Sequence, residues 1–352
     1  MHHASRYVSF GAVSRSNDAF DLVRKHGRAF SSFQTLGQDM HHWFDGEACV
    51  AYAETRGSWV VAGGPLTPPD REIEVMEKFA AAAKRKRKRV RFFGLERDVP
   101  PDSSFTALHI GEQPVWDPST WPSGVRKKLR DQIRRATAQG EIHVRLASAA
   151  ELHDPASPTR RGIDTIIAGW LESRRMAPMG FLVRIDPYHL AEERRFFVAE
   201  HKGKVVGVLV AVPIYARNGW FLDQMLRHPD APNAVVECMF DCAMRQFAKE
   251  QSPYVTFGLS PLSGTPSRAL QLIRERTTSM YNFTGLRAFK AKLGPTAWQP
   301  VYLAYPKHER GVSAVIDSLA AFTPRGLVRF GWDTLAQRRR QGPRSVASRS
   351  DE

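Results

Sequence analysis

With 352 residues, 42% of them hydrophobic, the chain is long enough for two domains of ordinary size, each with a real core. Its 51 Lys and Arg against 36 Asp and Glu leave a formal charge of +15, which favours a polyanion or an anionic membrane as partner and says nothing of fold. Three cysteines give no disulfide framework, no apolar run is long enough to span a bilayer, and MHHASRYVSF lacks the apolar core of a signal peptide; a reducing, cytoplasmic setting is expected.

In chain order, Asp18 to Gly27 has apolar residues at helical spacing and a glycine stop. Ala48 to Leu66 reads as two strands around a turn at Arg56-Gly57. Asp70 to Arg89 predicts a helix capped by Asp70, followed by the strand VRFFGLE. Between them, Lys84 to Arg91 carries seven basic residues in eight, either a solvated helix end or an anion-binding patch. Residues 111 to 125, rich in Pro and turn formers, mark a domain crossing. Gly124 to Glu141 then predicts a basic helix with Val125, Leu129, Ile133 and Ala136 as its apolar stripe. Its Arg126, Lys127, Lys128, Arg130, Arg134 and Arg135 suit a solvated face or a grip on nucleic-acid phosphates.

The second half repeats the alternation. A helix covers about Arg160 to Arg174, and three strands follow with tight turns at Lys202-Gly203 and Asn218-Gly219. A turn-rich loop, LRHPDAPNAV, leads into a helix ending near Gln251, then the strand YVTFGLS and the turn PLSG. Tyr281 to Pro306 is aromatic and ends in a strand. Cys238 and Cys242, on one helical face, read as small buried residues. The expectation is α/β (α+β), with two tandem units over 1–115 and 116–306, each a mostly antiparallel sheet flanked by helices. A basic amphipathic tail over 307–352 either docks on the body or lies on an anionic bilayer.

Strand, loop, helix, strand resembles the core of the GNAT acyltransferases. There, a glycine-rich loop lets bare amides at a helix N-terminus hold the coenzyme A pyrophosphate. Here Pro229 and Pro232 each lack an amide proton and the loop has no glycine. That argues against ordinary acetyl-CoA use. Asn233 is expected to cap the helix, with Glu237 one turn in.

Five ordered blocks carry a more specific resemblance: WVVAGGPLTPP, IGEQPVWDPSTWPSGVRKKLRDQIRRATAQGE, DQMLRHPDAPNAVVECMF, YVTFGLSPLSG and LRAFKAKLGPTAWQPVYLAYP. Together they resemble the C-terminal domain of the phosphatidylglycerol lysyltransferases, the multiple peptide resistance factor family (DUF2156), from about Phe30 to Pro306. The resemblance implies tandem GNAT-like units and a standalone aminoacyltransferase. Its donor would be aminoacyl-tRNA, with no cofactor, and its acceptor a hydroxyl of a membrane lipid such as phosphatidylglycerol. It places the chain in the cytoplasm or peripherally on the inner face of the cytoplasmic membrane. The alternative is an N-acyltransferase using acyl-CoA on a small-molecule or peptide amine. The chain departs from the family's D-L-M-R pattern: Arg227 lies four residues after Asp223, on the same face of a regular strand, where three would place it opposite, and a local bulge would restore either register.

Transesterification needs a base, oxyanion donors and an amino-acid pocket. Asp223 is the candidate base or ammonium ligand, unless it is simply buried and paired with Arg227, and Arg227 is the candidate partner of an oxyanion or lipid phosphate. Met179, Gly180, Phe181, Met225, Asn233, Glu237, Ser260, Tyr281 and Lys290 are expected around the substrate. Arg287 and Lys292, with Lys290 and the basic helix, are expected to meet tRNA or lipid phosphate. No metal-ligand spacing and no Ser-His-Asp set is visible.

Overall fold

The computed structural model describes residues 10–121, 123–139, 141–173, 180–264 and 283–323. Met179, Tyr281 and the tail beyond Thr323 lie outside them. Helix α1 (Phe10–His26) ends at Gly27 and leads to an antiparallel meander of β1 (His41–Asp45), β2 (Ala48–Glu54) and β3 (Ser58–Ala62). Helix α2 (Glu72–Arg85) crosses over, and β4 (Arg89–Leu95) returns parallel to β3. The helix expected from Asp70 starts later. Pro69–Arg71 form a single 3-10 turn and α2 has no side-chain cap; Pro68, before Pro69, is held extended at ψ 144°.

After β5 (Phe105–Trp116) come the basic helix α3 (Lys127–Ala138), β6 (Ile142–Leu146), the short α4 (Ala149–His153) and α5 (Pro158–Ser173). The same plan then recurs. The strands β7 (Arg195–His201), β8 (Lys204–Ile214) and β9 (Gly219–Arg227) are antiparallel, α6 (Val235–Lys249) crosses over, and β10 (Tyr254–Thr256) lies parallel to β9. The expected strand YVTFGLS is broken: β11 (Ser260–Pro261) pairs separately with β5, and Gly258 between them has φ +62°. The chain continues through α7 (Phe283–Lys292), β12 (Ala297–Pro306) and α8 (Gly311–Phe322).

All twelve strands among the described residues belong to one sheet, ordered β1-β2-β3-β4-β12-β5-β10-β9-β8-β7-β6 with β11 on β5. The two units exchange their last strands. β5 follows β4 in sequence but pairs with β10, and β12 follows β10 but pairs with β4. The exchanged strands pair with each other along the whole of β12, so the sheet runs unbroken from unit to unit. Helices α2, α3 and α6 cover one face; α1, α5 and α8 cover the other.

The basic run splits in two. Lys84 to Arg87 are exposed at the end of α2. Lys88 donates to the Thr55 carbonyl at 2.7 Å, Arg89 forks onto Asp317 of α8 at 2.7 and 2.8 Å, and Arg91 is fully buried between Asp317 and Glu309. Removing one member of a buried ion cluster leaves the others desolvated and unpaired. Arg91→Met is therefore expected to lower the unfolding free energy by about 3 kcal/mol in urea titrations, far more than Arg87→Met.

Candidate functional site

Strand β9 carries one residue too many. Val210 of β8 faces Gln224 and the next residue, Ala211, faces Leu222, so Asp223 has no partner opposite it. Such a bulge re-aims side chains. Before it, Trp220 and Leu222 point to the α6 face and Phe221 to the other; after it, Leu226 packs with Val208 and Val210 under α5. Asp223 and Gln224 thus share the α5 face. Arg227 falls opposite Gly207, whose missing Cβ would meet Val235 and Met239 of α6. The same-face expectation for Asp223 and Arg227 is overturned: the extra residue inverts the parity, and Arg227 is exposed on the far side of the sheet. Met225 packs on the α6 side as well. Pairing between β9 and β10 ends at Phe221, so Asp223 lies just beyond the point where the two strands part.

The Asp223 carboxylate, with a side chain 10% exposed, is instead matched by Arg194, 8% exposed, whose Nη1 stands 3.6 Å away. Gln34, from the turn Phe33–Leu36, donates through Nε2 to Asp223 Oδ1 and to the Leu182 carbonyl, both at 2.8 Å. Gln224 Nε2 lies 3.4 Å from Asp223 Oδ2, and Arg194 Nε donates to the His189 carbonyl at 2.8 Å. Burial raises the Asp223 pKa above the ordinary aspartate value against the pull of Arg194, Gln34 and Gln224. The same burial lowers Arg194, with the Asp223 charge opposing it. Three buried polar atoms of this cluster make no hydrogen bond: Gln34 Oε1, Gln224 Oε1 and Arg194 Nη1. Buried polar atoms are rarely left so. Two acceptors, a carboxylate and a guanidinium donor are groups that suit a ligand carrying an ammonium next to a carbonyl.

Gly180 and Phe181 pack against α8 and β4, and the residue after them, Leu182, is tied to the cluster. The Gly180 amide donates to the Phe322 carbonyl at 3.0 Å, Phe181 packs on Phe322 and Phe93, and Leu182 is held by Gln34. Other expected positions do not border it. Asn233 is exposed and caps nothing: α6 begins from Ala234, which sits at φ +73° without a side-chain cap. Glu237 is buried and ion-paired to Lys292 of α7 at 2.6 Å. Lys290 does not reach outward. Its ammonium donates to the carbonyls of Phe257, Gly258 and Leu259 at 3.1–3.2 Å, closing the break between β10 and β11. Burial pushes it down to about 7, and the three carbonyls counter by favouring the charged form. Arg287 lies over the Trp298 ring and pairs with Glu112 at 3.2 Å. Ser260 is buried, with an Oγ that makes no hydrogen bond.

Helix α3 presents the stripe as expected. Leu129, Ile133 and Ala136 are buried, and all six basic side chains named above are exposed on the α6 face of the sheet, with Arg134 near Asp131 at 3.4 Å. Gln34, Arg194 and Gln224 had no local signal. Gln34 meets Asp223 across 189 residues of sequence, and the only hint of Gln224 was its place beside the aspartate.

Comparisons with known proteins place the chain in a family. The family model described as "Phosphatidylglycerol lysyltransferase, C-terminal" matches residues 20–305. A curated phosphatidylglycerol lysyltransferase of Bacillus subtilis is 27% identical over 309 residues, 82% of this chain and 34% of that protein. One from Staphylococcus epidermidis is 22% identical over 82% of this chain and 35% of its own length. The chain thus spans about a third of these relatives. Among solved structures, a DUF2156 C-terminal domain from Agrobacterium fabrum has TM-score 0.74 at 21% identity, covering 90% of this chain and 99% of that one. L-PGS from Bacillus licheniformis has TM-score 0.69 at 22% identity, covering 86% and 96%.

If Lys290 is a strut, Lys290→Met strands three carbonyls. It should cost about 2–4 kcal/mol in chemical denaturation while leaving the salt dependence of any polyanion binding unchanged.

Proposed function

The chain belongs to the family of phosphatidylglycerol lysyltransferase C-terminal domains, and from that premise we propose that it transfers an aminoacyl group from aminoacyl-tRNA to a hydroxyl of an anionic membrane lipid such as phosphatidylglycerol. It would work without a cofactor, in the cytoplasm and peripherally at the inner face of the cytoplasmic membrane. The observation that carries the reading is the buried cluster of Asp223, Gln34, Gln224 and Arg194, three of whose polar atoms make no hydrogen bond. An aminoacyl ester offers the complementary groups. Its ammonium would donate hydrogen bonds to the two glutamine oxygens, and its carbonyl oxygen would accept one from Arg194 Nη1.

In the reaction, the acceptor hydroxyl attacks the ester carbonyl, the bond to the tRNA ribose breaks, and the ribose oxygen takes up the proton the acceptor loses. Asp223 is the group placed to relay that proton. Its raised pKa makes the carboxylate a better base than an exposed aspartate would be. Arg194, held by the His189 carbonyl, is placed to stabilise the charge developing on the tetrahedral oxygen. Arg227 lies on the other face and takes no part in this step. The exposed cations of α3 face the α6 side, where they suit tRNA phosphates, and β9 and β10 part just before Asp223.

Four outcomes test this. Lipid labelling from radioactive amino acid in a cell extract should disappear on ribonuclease treatment and persist without coenzyme A; ribonuclease-resistant labelling with release of CoA thiol would reject it. Asp223→Asn and Arg194→Met should each lower kcat/KM by about 100-fold or more, while Arg227→Ala changes it less than about threefold. Activity should fall on acidification at a pH above the ordinary aspartate range, because the base must be deprotonated and its pKa is raised. For α3, changing Lys127, Lys128, Arg130 and Arg134 to Glu should flatten the log–log salt dependence of tRNA binding by about 3.

A further inference from the structure

Helix α8 is built inside out. Its small and polar residues Ala314, Asp317, Ser318 and Ala321 face the sheet, with Asp317 clamped by Arg89 and Arg91. Three of its large apolar residues face away, while Val315 and Phe322 pack on the body: Val312 is 70% exposed, Ile316 50% and Leu319 49%. They stand at i, i+4 and i+7, one continuous stripe. A surface helix ordinarily buries that stripe. Of the six large apolar side chains strongly exposed among the described residues, three are these and a fourth, Val183, sits on the turn that packs against α8. The patch is therefore concentrated rather than scattered, and patches of that kind mark contact surfaces.

Charge names the partner. The exposed cations Lys84, Arg85, Lys86 and Arg87 form no ion pair among the described residues, and they span the end of α2 and the turn into β4, whose first residue, Arg89, contacts Asp317 of α8. Arg310 stands exposed at the start of the helix. Apolar side chains rimmed by cations suit an anionic bilayer, whose headgroups attract the rim while the acyl boundary takes the stripe. A nucleic acid offers nothing to the valine, isoleucine and leucine, and a second copy of a chain of charge +15 would bring like charges together. The position also fits. From the end of α8, Phe322 touches Gly180 and Phe181, Leu182 follows, and Gln34 bridges Leu182 to Asp223.

We propose that the outward face of α8, formed by Val312, Ile316 and Leu319 with the Lys84–Arg87 cations at its rim, seats the protein on an anionic bilayer beside the Asp223 cluster. Its purpose rests on the lipid-acceptor reading above, but the contact itself is tested by binding alone.

The full chain, without donor, is sedimented with vesicles of phosphatidylcholine alone or of equimolar phosphatidylcholine and phosphatidylglycerol. It is expected to bind the mixed vesicles and not the neutral ones. Ile316→Glu with Leu319→Glu should weaken that binding at least about tenfold, and charge reversal of Lys84 to Arg87 should weaken it and flatten its salt dependence. Both α8 positions are exposed, so the unfolding midpoint should not move. Ile316→Trp should tighten binding, which a damaged fold would not do. Unchanged vesicle binding by the α8 double variant overturns the proposal, as does equal binding to neutral vesicles. A loss of dimer mass in that variant overturns it too, since a second copy would then be the occupant. The two readings fail separately. If the transfer chemistry is wrong, vesicle binding keeps this pattern without turnover. If the seat is wrong, turnover on dispersed short-chain phosphatidylglycerol persists while the variants bind vesicles like the parent.

Discussion

One extra residue in β9 decides where the chemistry can be. A strand alternates faces with period two, so a single insertion exchanges the two faces for everything beyond it. Without the bulge, Asp223 and Arg227 would share a face two pleats apart. With it, the carboxylate turns into the space under Gln34 and Arg194, and Arg227 turns to solvent beside α6. The bulge lies next to the end of the β9–β10 pairing, so the strand is released from one neighbour as it is distorted against the other. Both features loosen the ladder at the point where a side chain must meet a ligand.

The exchange of β5 and β12 gives that point a rigid frame. Two separate α/β units would have to dock through side chains. Here each unit completes the sheet of the other, and β5 and β12 are joined by a ladder along the whole of β12. The Asp223 cluster uses this directly. Gln34 comes from the N-terminal unit, whereas Asp223, Gln224, Arg194 and Leu182 come from the C-terminal one. A hydrogen bond of 2.8 Å across the units can be kept only if the units do not slide, and a shared sheet prevents sliding.

Much of this architecture was legible because it is written in local periodicity. The meander of three strands, the helix after HPDAPNAV and the apolar stripe of α3 follow from spacing within a few residues. What was not legible is long-range or parity-dependent. No local pattern distinguishes a bulged strand from a regular one at LDQML, so spacing alone could not fix the face of Arg227. Lys290, Arg287 and Lys292 look like free cations in GLRAFKAKLG, yet their partners lie about 30 to 175 residues away in sequence, at Phe257–Leu259, Glu112 and Glu237. Gln34 in SSFQTLG carries no mark at all. The apolar face of α8 was visible, but not that the helix would turn it outward. That outcome depends on Arg89 and Arg91, more than 200 residues earlier, anchoring Asp317.

The loop before α6 bears on the donor in the same physical terms. A pyrophosphate cradle needs bare amides and an uncompensated positive helix end. Pro229 and Pro232 remove two amides. The Ala231 amide is already spent on the His228 carbonyl and that of His228 on Val206. Glu237, buried in the first turn of α6, sets a carboxylate against the positive end, and Lys292 is the cation that balances it. An incoming pyrophosphate would meet that carboxylate and would have to draw Lys292 away from it, leaving Glu237 buried without a partner. A donor whose phosphates lie farther out, against the exposed cations of α3, meets neither obstacle. The same loop geometry that disfavours a nucleotide thioester is therefore compatible with an ester carried on a polynucleotide, where only the aminoacyl end must reach Asp223.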